Sequence, residues 1–140
     1  MILSGRDIQW YRDKRLLKIE PIEPSQVQQN GIDLVLEEVV LQGLNFWLGA
    51  TRETLTLPDN LMGFVQLRST WARRGFLIPP TIIDAGFSGN LTVELWSVLE
   101  SPEVAVGKLF LHIAFALLTS PGESYRGKYQ GQSGITNAKE

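Results

Sequence analysis

The sequence predicts a mainly β protein with one short N-terminal helix, folded as a jelly roll or a barrel. Stretches of alternating or β-branched apolar residues recur at roughly 8–12-residue intervals and are separated by Gly, Pro, Asn and Asp. A chain of 140 residues that is 44% apolar and 20% charged fits one globular domain. We therefore expect a single domain at residues 1–140, and the pattern does not distinguish a sandwich from a barrel.

The helix is predicted near Gly5 to Lys14. Ser4 and Asp7 have the spacing of a capping box, in which each residue satisfies a backbone N–H of the other. Ile8 and Tyr11 then follow at helical spacing, and prolines further along the chain prevent the helix from continuing.

Strands are predicted where alternation or β-branched content stops at a turn. In residues 90–96 the aliphatic side chains alternate with Thr92 and Glu94, so Glu94 points away from the aliphatic row. Residues 81–84 are interpreted as a strand that runs into a Gly-bounded hairpin turn. The predicted strands are residues 32–36, 44–48, 54–57, 62–67, 81–84 and 90–96.

The last third of the chain divides into an apolar run and a polar tail. Residues 104–118 are compatible with one buried helix on periodicity alone, but Gly107 and Lys108 favour two strands joined by a turn. From Thr119 onward the chain is rich in Ser, Gly, Tyr, Lys and Gln and has no apolar periodicity. We expect residues 119–140 to form an arm or lid.

Composition excludes several classes of partner and site. The net charge is −2 and the pI is about 5.5, so the chain lacks the basic field of duplex-binding proteins, and a nucleotide partner is expected to be small. With no cysteine and one histidine, His112, no disulfide, thiol nucleophile, Cys-based zinc site or two-histidine metal site is expected. No run reaches signal-core or transmembrane length, so we expect a cytoplasmic protein without a membrane partner.

A basic segment, residues 66–75, places three arginines and two hydroxyl groups within ten positions. Arginine forks and neighbouring hydroxyls suit phosphate oxygens, so the segment is a candidate polyanion site. The alternative interpretation is a solvated basic turn after a strand. The familiar phosphate loops GxxxxGK[ST] and GxGxxG are absent.

Two carboxylates, Asp84 and Glu94, lie in apolar, strand-rich surroundings, where a charge is costly unless it is paired or used. Asp84 either caps the turn that follows it or serves a site. Glu94 either pairs with an arginine, with Arg68 and Arg73 as candidates, or transfers protons. His112 is interpreted as a hydrogen-bonded histidine of the core or of an interface.

Six ordered motifs span nearly the whole chain: MILSGRDI at 1–8, NGIDL at 30–34, RSTWAR at 68–73, IDAGFSG at 83–89, TVE at 92–94 and KYQGQ at 128–132. Together they resemble the motifs of the dCTP deaminase family, part of the dUTPase-like superfamily. The stretch IPPTIIDAG is similar to archaeal members in particular.

The resemblance implies a distorted jelly-roll subunit of the β-clip type that forms a homotrimer, with nucleotide sites between subunits. It implies hydrolysis of dCTP to dUTP and ammonia, with Mg²⁺ carried by the triphosphate, no zinc and no organic cofactor. The scarcity of Cys and His agrees with this, because other cytosine deaminases hold zinc with those ligands. The expected partners are small nucleotides, dCTP and also dUTP or dTTP, with no nucleic acid.

The resemblance also implies a role for each matched residue. Glu94 matches the family's general acid/base, which activates water for attack on the amino-bearing ring carbon and returns protons to the leaving ammonia. Arg73 is the cation near that glutamate, and Ser69 completes the catalytic set. The implied substrate-binding set is larger. Arg68, Ser69 and Thr70 contact the phosphates, and Trp71 and Ala72 belong to the same motif. Asp84 lies at the deoxyribose, the main chain of Thr92 and Val93 contacts the base, and Tyr125, Lys128 and Gln132 close over the triphosphate.

Other activities stay open at this point. The segment between Gly75 and Asp84 is shorter than in many bacterial members and lacks their Thr-Ala pair, as in archaeal dUTPase-like proteins. The alternative is a dUTP pyrophosphatase, or a bifunctional enzyme that makes dUMP from dCTP, with Asp84 activating the water. Glu94 favours deamination, because enzymes restricted to dUTP usually carry an apolar residue there. A catalytically silent dNTP-binding regulator is a third hypothesis.

Overall fold

A computed structural model describes residues 1–140 and confirms the mainly β architecture. Its two α-helices are α1 (Gly5–Asp13) and α2 (Ser69–Ala72), and one turn of 3₁₀ helix spans Pro24–Gln26. The strands are β1 (Lys18–Glu20), β2 (Val27–Gln28), β3 (Gly31–Gly43), β4 (Phe46–Thr56), β5 (Leu61–Leu67), β6 (Phe76–Leu77), β7 (Thr81–Ile83), β8 (Ser88–Ser97) and β9 (Leu109–Leu117).

The strands form one curled antiparallel sheet. Its main path runs β6-β8-β4-β3-β9-β5-β7, while β1 pairs with β4 and β2 with β3. The 13-residue strand β3 joins the two halves, because its first part pairs with β9 and its second part with β4. Phe110, Ile113 and Phe115 of β9 are fully buried in the single core cluster. Burial of each such side chain contributes about 1.5–3 kcal/mol.

The predicted capping box of α1 is present. The Asp7 backbone N–H donates to Ser4 Oγ at 3.2 Å, and the Ser4 N–H donates to Asp7 Oδ2 at 3.1 Å. Ile8 is fully buried and fixes the helix on the sheet. The helix ends at Asp13, with Lys14 as its C-cap, one residue earlier than predicted.

Two local predictions of strand organisation were wrong. The predicted strands 44–48 and 54–57 overlap one long strand, β4 (Phe46–Thr56), which begins only at Phe46 because Asn45 turns the chain with a φ of 52°. The predicted hairpin after residues 81–84 does not form, since β7 pairs with β5 whereas β8 pairs with β4 and β6. The chain therefore crosses between sheet halves at this turn.

The apolar run 104–118 contains one strand, β9, instead of two. Gly107 does form the predicted turn, at a φ of +83°, but its N–H donates to Leu36 O at 2.7 Å and the Leu36 N–H donates to Lys108 O at 3.0 Å. Residues 104–106 are held as a loop beside β3 and have no strand partner.

The polar tail, residues 119–140, contains no helix or strand and packs along β8. The Gly131 N–H donates to Ser88 O at 2.7 Å, and the Asn90 N–H donates to Gln132 O at 3.0 Å. These backbone hydrogen bonds hold the tail against β8. None of the helices in the structure combines the length and the apolar character needed to cross a membrane.

Candidate functional site

A cavity of about 650 Å³ lies between β8, the turn that precedes it and the tail. Ten of its 18 lining residues are hydrophobic, which suits a flat ring with a few polar contacts. The predicted site residues that line it are Asp84, Thr92, Glu94, Tyr125 and Gln132.

Glu94 lies in the cavity because of the alternation of β8. Leu91, Val93 and Leu95 are buried, whereas Thr92 and Glu94 are half-buried on the opposite face, as the sequence predicts. The Glu94 carboxylate has no hydrogen-bond donor or cationic partner within the chain, and neither Arg68 nor Arg73 reaches it. A half-buried carboxylate without a partner is available to a ligand or to water.

Asp84 follows β7 at the edge of the same cavity. Its turn is closed by the backbone, because the Phe87 N–H donates to Asp84 O at 3.1 Å and the Gly86 N–H donates to Pro58 O at 3.1 Å. The Asp84 side chain does not cap the turn and is exposed and unpaired. Gly86 has a φ of +80°, and a side chain there would meet Ser124 at 2.7 Å, so glycine lets the tail pass closely.

Thr92 and Val93, which the resemblance predicts to contact the base, already have hydrogen-bond partners within the chain. The Thr92 hydroxyl accepts the Thr136 N–H at 3.0 Å. Val93 is 3% exposed and its main chain pairs with Gly49 of β4.

The tail forms one wall of the cavity. Tyr125 packs its ring on Phe87 at 5.8 Å between centroids, and Tyr129 and Gln132 line the cavity with it. Tyr129 was not predicted, although it lies within the KYQGQ motif. Lys128 lies outside the cavity, where its ammonium group contacts Lys139 O and lies 5.7 Å from the Tyr129 ring centroid.

The basic segment folds as the short helix α2 and its flanks, away from the cavity. Trp71 is 7% exposed, and its indole N–H donates to Leu109 O at 2.7 Å, so this ring is part of the core. Ala72 and Arg73 are exposed. Ser69 and Thr70 are also exposed and line a separate, mainly polar groove of about 310 Å³.

Arg68 is held in this polar groove by a carboxylate to which the sequence did not point. Arg68 Nε lies 3.0 Å from Asp33 Oδ2, and His112 Nδ1 lies 2.8 Å from Asp33 Oδ1. The prediction of a hydrogen-bonded histidine is confirmed. The position of Asp33 between apolar residues of a strand was the available signal, but its partners are distant in sequence.

Glu53 is a further buried carboxyl that the sequence did not single out. It is fully buried, and burial raises its pKa above the ordinary value, against weaker opposing hydrogen bonds. The Gln26 side chain donates to Glu53 Oε1 at 2.9 Å and the Val35 N–H at 3.1 Å. This group supports the junction of β3 and β4 and does not line the cavity.

The predicted site residues thus form two sets on one chain. The first contains the free carboxylates and the tail, and the second contains Arg68, Ser69 and Thr70 in the polar groove. No group of three His, Asp or Glu side chains converges as a metal cage.

Comparison with known proteins identifies a matching family and relatives that align over nearly the whole chain. Residues 36–118 match the family described as dCTP deaminase-like. The chain is 37% identical to a dCTP deaminase of Hyperthermus butylicus, with 97% of each chain covered. It is also 40% identical to a probable deoxyuridine 5'-triphosphate nucleotidohydrolase of Sulfolobus islandicus rod-shaped virus 1, over 100% of this chain and 99% of that one.

Solved structures share the fold at low identity. The 2'-deoxycytidine 5'-triphosphate deaminase from Agrobacterium tumefaciens matches 81% of this chain with a TM-score of 0.65 and 18% identity. This chain spans 47% of the length of that one. The native EIAV dUTPase matches 81% of this chain and 97% of its own, with a TM-score of 0.59 and 21% identity.

Proposed function

Because this chain belongs to the dCTP deaminase-like family, we propose that it is an enzyme that hydrolyses dCTP to dUTP and ammonia. The observation that carries the proposal is Glu94: a half-buried carboxylate without a partner, aimed into a cavity of suitable size. The dCTP deaminases to which the chain is similar match it over nearly its full length, which supports the same reaction here.

In the proposed mechanism Glu94 takes a proton from a water molecule whose oxygen attacks the ring carbon that bears the amino group. Glu94 passes this proton to the adjacent ring nitrogen, then takes the hydroxyl proton of the tetrahedral adduct and delivers it to the amino group. The carbon–nitrogen bond breaks, and ammonia leaves as the carbonyl of uracil forms. Such a positioned acid/base contributes roughly 10²–10⁴-fold to the rate. Arg73 would stabilise the carboxylate and the water electrostatically.

The triphosphate is proposed to bind Arg68, Ser69 and Thr70, because a guanidinium fork and two exposed hydroxyls line the polar groove. Mg²⁺ would arrive on the triphosphate and neutralise part of its charge. The chain itself offers no three-ligand cage for a metal. We propose no zinc and no organic cofactor in the reaction.

The two residue sets are proposed to meet between subunits of a homotrimer. Exposed aliphatic side chains support such an association, since apolar side chains clustered on a surface favour burial. They concentrate at the β3–β4 hairpin and the adjoining end of β8, which are linked by a hydrogen bond from Asn45 Nδ2 to Leu99 O at 2.5 Å. The side chains are Val40, Leu41, Leu44, Leu77, Val98 and Leu99.

Subunit complementation tests this arrangement. Glu94→Gln and Arg68→Gln each inactivate one residue set, so a 1:1 mixture of the two variants, unfolded and refolded together, should regain about a quarter of wild-type activity in a trimer with shared sites. Light scattering measures the assembly in parallel. A trimer without regained activity would place both sets of one site on the same subunit.

Hydrolysis of dUTP to dUMP and pyrophosphate is the second candidate function. Asp84 lies in the same cavity with a free carboxylate, which could activate water for attack on a phosphorus atom. The 140-residue chain aligns with the viral relative over 157 positions but with the Hyperthermus butylicus relative over 171, so it is closer in length to the former. A bifunctional enzyme would use both carboxylates.

Product analysis separates the candidates. The protein is incubated with dCTP or dUTP and Mg²⁺, and nucleotides, ammonia and pyrophosphate are quantified. Ammonia and dUTP from dCTP support deamination, pyrophosphate and dUMP from dUTP support the second activity, and dUMP from dCTP supports both. Binding of either nucleotide without any product would identify a silent regulator.

A further inference from the structure

The carboxylate of Asp33 is buried between a cation and the only histidine of the chain. Its side chain is 6% exposed, with one oxygen 3.0 Å from Arg68 Nε and the other 2.8 Å from His112 Nδ1. A buried carboxylate is costly unless both oxygens are satisfied, and these two contacts come from residues 35 and 79 positions away. The proposed chemistry at Glu94 gives this arrangement no role.

The contacts fix the orientation of Arg68. Nε is taken by Asp33, and one Nη1 hydrogen is donated to Leu109 O at 3.2 Å. A guanidinium group has five N–H donors, so three remain, and the side chain is 34% exposed toward the polar groove. The remaining donors lie on Nη1 and Nη2, which together can bind a phosphate group bidentately.

His112 in turn fixes Asp33. The ring is held through Nδ1 and lies against Gly31, where an added Cβ would be 2.4 Å from Nε2. The ring therefore cannot move toward β3, and Asp33 keeps one oxygen engaged by the ring and one available to Arg68. Asp33 of β3, His112 of β9 and Arg68, which directly follows β5, form this arrangement at one end of the sheet.

We propose that Asp33 and His112 are positioning residues for triphosphate recognition: together they hold Arg68 so that its free edge faces the polar groove. The inference rests on the proposed function, since it assigns the phosphate groups of a nucleoside triphosphate to that groove. His112 touches no substrate in this arrangement. It acts on binding through Asp33 and Arg68.

The test is a double-mutant cycle on the full chain with inorganic tripolyphosphate and Mg²⁺ as the calorimetric probe. His112→Phe keeps a ring but removes the donor, and should weaken tripolyphosphate binding by about 3–10-fold, with KM for dCTP rising equally and kcat changing less than about 2-fold. His112→Asn retains an N–H near the Nδ1 position and should restore binding. In an Arg68→Gln background, His112→Phe should have no further effect.

A half-buried arginine of α1, outside the polar groove, provides the control: Arg12→Gln should leave binding unchanged. Thermal unfolding is recorded for each variant, and Asp33→Asn, which keeps the side-chain shape, replaces His112→Phe if that variant does not fold. Unchanged tripolyphosphate binding in a folded variant, or an equal effect in the Arg68→Gln background, would overturn the positioning role. Tripolyphosphate binding requires no turnover. If His112 and Arg68 are coupled in binding but the protein does not deaminate dCTP, only the proposed reaction is refuted.

Discussion

Glu94 and Asp33 are carboxylates on long strands of the same sheet, yet their surroundings differ in kind. Asp33 is 4% exposed and has a partner for each oxygen, whereas Glu94 is half-buried and has none. The paired group stabilises a fixed arrangement, and the unpaired group is available to a ligand. Pairing, more than burial, therefore separates the positioning carboxylate from the proposed reactive one.

The cavities around the two carboxylates differ accordingly. Glu94 lies in a mainly hydrophobic cavity closed by the tail, and Asp33 lies behind a polar groove lined by amides and hydroxyls. The first suits a nucleobase and the second suits phosphates. The comparison predicts that changes on one side affect turnover and changes on the other affect binding or stability.

The largest effect is expected for Glu94→Gln. Removal of the proton acceptor should lower kcat for deamination by about 10²–10⁴-fold, with dCTP affinity retained within a few fold. Glu100→Gln, in the exposed loop after β8, is the matched control and should retain activity. Rates are measured by ammonia release. A turnover rate equal to that of the wild type in Glu94→Gln would contradict the proposed role of Glu94 in proton transfer.

For the free energy of unfolding, the larger effect is expected at Asp33 and the smaller effect at Glu94. Asp33→Ala leaves the Arg68 cation without its buried partner and should reduce the free energy of unfolding by about 2–4 kcal/mol. Glu94→Gln disrupts no contact and should change it by less than about 0.5 kcal/mol. Denaturant titrations at one protein concentration provide the comparison, and equal losses would contradict the distinction drawn between the two carboxylates.

A smaller effect is expected where the tail docks beside Glu94. The Asn90 side chain donates to Thr51 O and Glu53 O at 3.1 and 3.0 Å and accepts the Gly134 N–H at 3.0 Å. Asn90→Ala should loosen the tail and raise KM for dCTP by about 3–10-fold with little change in kcat.

Limited trypsin digestion provides an independent measure of that loosening. Cleavage after Arg126 and Lys128, which are exposed in the tail, should accelerate in Asn90→Ala and slow again when nucleotide binds. Asn137→Ala, at an exposed position, is the control. Identical digestion of Asn90→Ala and wild type would show that Asn90 does not hold the tail.

The smallest effect concerns Glu53. Burial raises its pKa from 4.5, so the folded state binds more protons than the unfolded state between pH 4.5 and the raised pKa. Wild-type stability should fall as pH rises through this window and level off above it. Glu53→Gln should lack this contribution, so the stability of the variant should rise relative to wild type as pH increases across the window. A constant difference at all pH values would contradict the raised pKa.

Local patterns predicted much of this molecule. The capping box of α1, strand β5 and the alternation that exposes Glu94 all follow from residues within a few positions of one another. The pairing of β7 with β5 and of β8 with β4 did not follow, because pairing partners of a strand are chosen by burial across the whole chain.

The candidate site shows the same limit. Motifs identified Glu94, Asp84 and Arg68, but not that Arg68 pairs with Asp33 or that Glu53 binds Gln26 and Val35. Those partners are separated by 18 to 35 residues and carry no local signature. Trp71 shows the converse: it lies within a motif implied to bind substrate, yet its ring packs in the core.

The tail remains covalently attached to the sheet that it covers, and it leaves the sheet where the Leu118 N–H donates to Asn60 O at 2.9 Å. Attachment gives a short flexible segment an effective concentration in the millimolar range at its docking surface. A few hydrogen bonds therefore suffice to hold it against the sheet, and each of them is individually weak. A chain truncated after Leu118 should accordingly regain activity only when the missing segment is supplied as a peptide at millimolar concentration.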